Sequence, residues 1–333
     1  MAFVAYAGAI ILGAIDNETA DHFYSALLRR KPPIPDGVAR RHADIQDVTI
    51  IVPTINTPST FPESLRRWIA NKPGQIIIET IDRDYDHVKN LIKRCEVDTD
   101  KVVKLHRVKK ASKRHQVSNG IRRALGSFIC LSDNDNFWPP DLLETMMAPF
   151  ELNDDVGGVV GDQNPYVPPE RQDPDVITPW EVAAIRGMHS RNRRIVREWS
   201  VDGGVNILAG RTVMYRAETL NKLFRDAFKG EVWKGKELDS GDDCFITRWL
   251  LRTKNKRCKN WKVHVLQGPE SAVESAIETT DKDKSQLLRW EVNTLRHFMT
   301  TLKEVPDLWQ RHPRLARKMV ERLLRPVITG VHL

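Results

Sequence analysis

The sequence predicts an α/β fold: a mostly parallel central sheet covered by helices on both faces, with flanking amphipathic helices. Three observations carry that expectation. Short β-branched runs recur along the chain, stretches with helical spacing separate them, and no period of about 20–50 residues repeats to suggest a solenoid.

The elements follow in order. The first strand is expected at residues 47–55 (DVTIIVPTI), broken by Pro53, the second at 75–81 (QIIIETI) and the third at 101–108 (KVVKLHRV). Helical spacing at 117–125 precedes a strand at 127–131 (SFICL), which runs into an acidic loop; a helix at 141–150 leads to an apolar strand at 156–160 (VGGVV). The second half is less regular. It predicts a long basic helix at 178–199, paired short strands within 205–215, a helix at 243–252, a strand at 261–266 and a helix at 285–302. Short apolar strands separated by helices belong to a parallel sheet buried on both faces. Ligands on such sheets sit at the carboxyl ends of the strands.

The chain has 333 residues, 41% hydrophobic and 29% charged, which excludes disordered and collagenous classes. Three regions are expected: an N-terminal apolar segment and linker (1–46), one catalytic domain (47–290), and C-terminal amphipathic helices (291–333). Residues 2–15 (AFVAYAGAIILGAI) carry no charge but fall short of the about 20 residues a full span needs. They read as a membrane-associated helix or a buried terminal one, followed by a Pro-rich joint at 31–37. The basic stretches at 289–303 and 311–324 suit either an acidic leaflet or a solvated helix face. Cys95, Cys130, Cys244 and Cys258 show no C-x-x-C spacing, so reduced thiols facing cytosol are expected. A net charge of +8 suits nucleic acid, an anionic membrane or a nucleotide substrate.

Four constellations can carry chemistry. Asp133 and Asp135 flank one residue at a strand end, so both carboxylates can converge on one Mg²⁺ or Mn²⁺ ion; an acidic turn closing the strand is the alternative. Asp242 and Asp243, before an apolar helix, can cap it or serve as a general base. Gln286, Arg289 and Trp290 share one helix face, where Arg suits a diphosphate and the indole a sugar; packing in an amphipathic helix is the alternative. Lys113 and Arg114 close a basic run ahead of a helix, placed to meet phosphate or to remain solvated.

The order of these features resembles the processive family 2 glycosyltransferases, the hyaluronan, chitin and cellulose synthases among them. The likeness runs from Asp47 to about Trp290: a strand ending in IVPT, a Lys–Arg pair, D-x-D, G-D-D and Q-x-x-R-W. It implies a GT-A fold, a UDP-sugar donor, a glycan acceptor, Mg²⁺ or Mn²⁺, inversion at the anomeric carbon, and a catalytic domain facing the cytosol at a membrane. By this resemblance Pro53 and Thr54 border the uracil, and Lys113 and Arg114 lie near the nucleotide. Asp133 and Asp135 take the metal, Asp135 more directly, and Asp162 and Gln163 lie near the donor and acceptor sugars. The segment 203–215 is the Gly-rich acceptor side, and Asp243 is the general base beside Asp242. Gln286 and Arg289 close over the diphosphate while Trp290 supports the acceptor.

The chain departs from that pattern in three places. The family's Asp-Asp-Gly-Ser turn is replaced by Glu79-Thr80-Ile81-Asp82-Arg83-Asp84, which leaves Asp82 or Asp84 as the uridine contact, and the middle of D-x-D is Asn134. The synthases carry spanning helices after Q-x-x-R-W and residues 291–333 hold none, so a piece of a longer enzyme or a relative needing another subunit is expected. The second reading within the enzyme class is a non-processive transferase adding one sugar to lipid or protein. A basic nucleic-acid-binding protein or metal-dependent nuclease fits the charge, but no nucleic-acid module is recognisable and the basic clusters are dispersed. A dinucleotide oxidoreductase is excluded, because Pro53-Thr54-Ile55-Asn56 supplies no G-x-G-x-x-G after the first strand.

Overall fold

The computed structural model describes residues 44–252, 260–277 and 282–330; the N-terminal apolar run, its Pro-rich joint and Cys258 lie outside them. Of the remaining thiols, Cys95, Cys130 and Cys244 are free and buried, as expected of reduced cysteines.

The first half alternates as predicted: β1 (Val48–Pro53), α1 (Phe61–Ala70), β2 (Gln75–Ile81), α2 (Tyr85–Lys93), β3 (Val103–Val108), α3 (Lys113–Arg123) and β4 (Phe128–Ser132). A two-residue β5 (Asn136–Phe137), α4 (Leu142–Leu152), β6 (Val156–Val160) and β7 (Gln163–Tyr166) follow. Then come α5 (Pro179–Asp202), β8 (Thr212–Arg216), α6 (Lys222–Lys229) and a hairpin of β9 (Val232–Trp233) and β10 (Lys236–Glu237). The chain continues through α7 (Asp242–Leu251), β11 (Lys262–Val265), β12 (Val273–Ala276), α8 (Lys282–Glu304), α9 (Leu308–Arg311) and α10 (Pro313–Gly330).

Seven strands form the main sheet in the order β11-β6-β8-β4-β1-β2-β3. Every pairing is parallel except those of β8, which runs antiparallel to both β4 and β6. The period-2 alternation of side chains builds a core on each face. From β1, Ile50 and Val52 point to one side, where α1, α2 and α4 supply Trp68, Leu91 and Met146. Ile51 points to the other, onto Val117 and Ile121 of α3 and the Phe224, Phe228 and Phe245 cluster of α6 and α7. The predicted α/β class with helices on both faces is thus the observed one.

Two expectations change. The segment 205–215 holds one strand rather than two paired ones. Gly203 ends α5 at φ 76° and the chain stays irregular to Arg211, because a second strand there would displace the backbone that lines the cleft described below. The apolar side of residues 311–324 faces the domain over most of its length: Leu315, Ala316 and Met319 are buried against Leu251, Phe298, Val305 and Leu308, so α8–α10 cap one end of the domain, while Leu324 stays exposed. α8 runs through residue 290. Among the described residues no helix is long and apolar enough to cross a membrane.

Candidate active site

The carboxyl ends of β1 and β4, the start of α3, the backbone before β8 and the start of α7 converge on one cleft. Pro53, Lys113, Ser132, Asp133, Gly210, Tyr215, Asp242 and Asp243 line it, and it encloses about 290 Å³ that opens to solvent. Its place follows from the fold: carboxyl ends of neighbouring parallel strands diverge and leave a crevice there.

Lys113 is the central group. α3 begins at Lys113 rather than at the predicted 117, so Lys113 and Arg114 occupy its first turn, where the helix dipole disfavours cations. Tertiary carboxylates compensate. Lys113 Nζ donates to Asp133 Oδ1 at 2.8 Å and lies 3.2 Å from Asp242 Oδ2, so one ammonium joins the D-x-D loop to the G-D-D helix start. Burial works against that ammonium, but Asp133 and Asp242 outweigh it and hold Lys113 firmly charged.

The two carboxylates at the head of α7 are driven apart. For Asp242, burial is outweighed by Lys113, and its carboxyl is held below the usual range. Asp243 is pushed up to about 6, by burial first and then by the neighbouring Asp242 charge. Asp243 keeps its orientation through its own turn: Cys244 N–H donates to its Oδ1 at 2.8 Å and Thr247 Oγ1 donates to its carbonyl at 2.8 Å. Gly210 leaves it room, since a Cβ there would lie 3.3 Å from Asp243 Cβ. A low carboxylate beside a raised one is how a protein sets up a charge-bearing group and a base in one site.

Asp135 is also pushed up, by burial and then by Asp133. A carboxylate whose ionisation its neighbour's charge opposes fits a divalent cation held by the pair. Among the described residues no cluster of three or more His, Cys, Asp or Glu side chains forms, so such an ion would take its remaining ligands from phosphate oxygens and water. The D-x-D loop is rigid. Asp133 N–H donates to the Arg211 carbonyl at 2.8 Å, Asn136 Nδ2 donates to the same oxygen, and Asn134 Nδ2 donates to Thr54 Oγ1 at 2.6 Å. Asn134, which the sequence offered no role, latches D-x-D to the end of β1.

Several predicted contacts need correction. Arg114 does not face the nucleotide side. It is buried, and its guanidinium donates to Phe228 O at 2.8 Å, Glu231 Oε2 at 2.6 Å, Ser240 O at 3.1 Å and Gly241 O at 3.2 Å, tying down the loop that leads into α7. Helical geometry turns it about 100° away from Lys113. Thr54 is buried with its hydroxyl held by Thr57 and Asn134, and its carbonyl by Gln116, so only Pro53 of that pair lines the cleft. Gln163 is buried too: its Nε2 donates to Ala209 O at 2.8 Å, bracing the Gly-rich segment instead of opening to an acceptor. Asp162 is half-buried and pushed up by that burial.

Neither acidic residue offered for uridine is simply free. Asp84 accepts from Asn56 N–H at 2.8 Å and from Arg83 Nε at 2.8 Å, while Asp82 is exposed with Arg107 3.9 Å away. In α8, Trp290 is half-buried with Arg191 Cζ 5.8 Å from its ring centroid, Arg289 is exposed, and the Gln286 side chain lies outside the described set. The arginines the sequence reading missed are therefore Arg191 and Arg211. Arg211 feels the charges of Asp135 and Asp133, and Arg191 that of Asp243, with no ion pair formed among the described residues.

Several known proteins are similar to this chain. An NDP-glycosyltransferase of Aspergillus luteorubrus is 33% identical over 326 residues, 96% of this chain and 77% of its own length. A type 2 glycosyltransferase of Zymoseptoria tritici is 34% identical over 263 residues, covering 78% of this chain but only 52% of that protein. This chain likewise spans 57% of a type 2 glycosyltransferase of Pyricularia oryzae, about half the length of these larger relatives. The fold is also that of a mannosyltransferase from Pyrobaculum calidifontis, solved with GDP-mannose and Mn²⁺, at a TM-score of 0.58 and 18% identity over 96% of this chain and 86% of that one. None of these likenesses is to a nucleic-acid-binding protein. The pattern described as glycosyltransferase-like family 2 matches residues 46–293, nearly all of the sheet and both carboxylate motifs. The chain belongs to that family.

Proposed function

We propose that this chain transfers a sugar from a UDP-sugar to a glycan hydroxyl with inversion, in the manner of the polysaccharide synthases. One observation carries the reading: Lys113 draws Asp133 of D-x-D and Asp242 of G-D-D to the same cleft, with Asp243 alongside. A donor site and a base in one cleft are what a single displacement needs.

Asp243 is the base. Its raised carboxyl is basic enough to take the acceptor's proton while remaining largely ionised at neutral pH. The acceptor oxygen forms its bond to the donor's anomeric carbon as that carbon's bond to the diphosphate breaks on the opposite face, which inverts configuration. Lys113 and Asp242 hold the head of α7 against the D-x-D loop, fixing the distance between base and donor. A divalent ion held by Asp133 and Asp135 would supply charge neutralisation at the departing diphosphate. Trp290, half-buried with Arg191 Cζ 5.8 Å from its ring centroid, is the aromatic face proposed for the acceptor sugar.

The test is calorimetric titration of UDP and GDP with Mn²⁺ and with EDTA, followed by hydrolysis assays on UDP-sugars. Metal-dependent binding of UDP and release of UDP from one sugar donor are expected. Binding of neither nucleotide would refute the reading, and binding of GDP alone would move the donor class.

A further inference from the structure

We infer that Arg191 and Arg211 form a two-cation clamp for the diphosphate of the sugar donor, a role the motifs assign to neither residue. The inference rests on the donor-site reading above and adds the residues that meet the leaving group.

Arg211 immediately follows the cleft-lining Gly210 and precedes β8. Its main chain is fixed to the D-x-D loop, since its carbonyl accepts from Asp133 N–H at 2.8 Å and from Asn136. Its guanidinium is not matched in the same way. The one side-chain bond it makes among the described residues is from Nη1 to Met188 Sδ at 3.7 Å, a weak acceptor. Arg191, in mid-α5, has its Nη2 3.4 Å from the neutral Gln163 Oε1 and its Cζ 5.8 Å from the Trp290 ring centroid. Among the described residues neither arginine makes an ion pair with a carboxylate.

The fully buried arginines of this protein are treated differently. Arg114 bonds Glu231, Arg248 bonds Glu231 and Glu304, and each is at most 3% exposed. Burying a guanidinium is costly without a paired anion, and the fold supplies one at those positions. At Arg191 and Arg211 it instead sets two cations near each other. Burial lowers Arg191 to about 10, and the Arg211 charge adds to the effect. Burial lowers Arg211 likewise, opposed by Asp135 and Asp133. Two half-buried forks without an ion-paired carboxylate, one tied through its main chain to the D-x-D loop and the other beside Trp290, mark a place for a ligand oxyanion.

The position selects the diphosphate. The scissile bond has to lie between Asp135, on the donor side, and Asp243, on the acceptor side. As it breaks, the bonding electron pair stays on the β-phosphate oxygen, the acceptor proton passes to Asp243, and the nucleoside diphosphate leaves with one more negative charge. Arg211, next to the cleft-lining Gly210 and bonded to Met188, and Arg191, three residues along α5 from Met188, bring two guanidinia to this side of the cleft. Fixed donors aimed at growing charge in a partly dry cleft stabilise the transition state more than the ground state. Arg289, exposed on α8, is not in that position here.

The experiment uses the full chain with Mn²⁺ and compares the affinities of UMP and UDP, with GMP and GDP in parallel, for the wild type, Arg191→Gln and Arg211→Gln. Each variant should weaken the diphosphate by about 10- to 100-fold and leave the monophosphate almost unchanged. The double variant should bind the two nearly equally, and turnover of the sugar donor should fall with diphosphate affinity. Unchanged diphosphate preference in the single and double variants would overturn the clamp. So would equal loss of mono- and diphosphate together with a lowered Tm, which would mark a packing role. A wild-type chain that binds no nucleotide would refute the donor-site reading itself, and the clamp with it, before any variant is compared.

Discussion

Arg114 offers the sharpest test of whether the first turn of α3 serves the nucleotide or the scaffold. Replacing it with alanine removes a guanidinium with four acceptors: Phe228 O, Glu231 Oε2, Ser240 O and Gly241 O. Three of those are main-chain carbonyls, and losing a donor to a buried polar group costs about 1–3 kcal/mol each when nothing replaces it. Glu231 is not abandoned, because Arg248 still pairs with it, so the full penalty of an orphaned buried carboxylate does not apply. Taken together the loss should fall at about 3–5 kcal/mol, the range for breaking a buried ion pair. Arg114→Lys keeps the charge without the planar fork and should lose about 1–3 kcal/mol. Urea unfolding followed by tryptophan fluorescence reads both. With a slope of about 3 kcal/mol per molar urea, the alanine variant should unfold at least about 1 M earlier. A midpoint shift below about 0.3 M, with UDP affinity selectively lost, would refute the scaffold assignment and return Arg114 to the nucleotide.

Asp243→Asn should reduce transfer by about 10²- to 10⁴-fold while UDP binding persists, because the base is removed from an otherwise intact donor site; equal loss of UDP affinity would count against it. Since the carboxyl of Asp243 is raised to about 6 and acts as a base only when ionised, kcat/KM should fall as pH drops through about 6. A rate profile flat from pH 5 to 8 would oppose that assignment. Asp135→Ala should abolish the enhancement of UDP binding by Mn²⁺, and identical titrations with Mn²⁺ and EDTA in the wild type would remove the basis for a metal there. Gly120→Ala should destabilise the domain by about 1–3 kcal/mol, since the added Cβ would lie 2.4 Å from Ile51 Cγ2 where α3 crosses β1; an unchanged Tm would show that the contact relaxes freely.

The sequence disclosed what local chemistry controls. β2 and β6 were legible to the residue, at 75–81 and 156–160, because short runs rich in Ile and Val leave little choice of conformation. The D-x-D and G-D-D carboxylates were legible as motifs, and the structure brings Asp133, Asp242 and Asp243 into one cleft. What was hidden depends on distant partners. The start of α3 looked like a solvated basic run because Asp133 and Asp242, which make Lys113 acceptable in a first helical turn, come from β4 and α7. Arg114 was misplaced for the same reason: the side of α3 it occupies is defined by Glu231 and Gly241, far along the chain. Arg211 was invisible because only the insertion of β8 between β4 and β6 sets it beside Asp133. The helices of the C-terminal region were recognised by periodicity, but periodicity alone did not say that Leu315 and Met319 would be spent on Phe298.

The ammonium shared by Asp133 and Asp242 has a kinetic meaning. Whatever recruits Asp133 to a new charge loosens its hold on Lys113 and shifts that lysine's field toward Asp242 or toward incoming phosphate. On the proposed assignment the repulsion that Asp242 exerts on Asp243 then changes, so arrival of the donor would retune Asp243 before any acceptor is touched. An enzyme wired in this way favours ordered binding, donor ahead of acceptor. It also makes substitutions in the two motifs strongly non-additive, because each would alter the same electrostatic circuit.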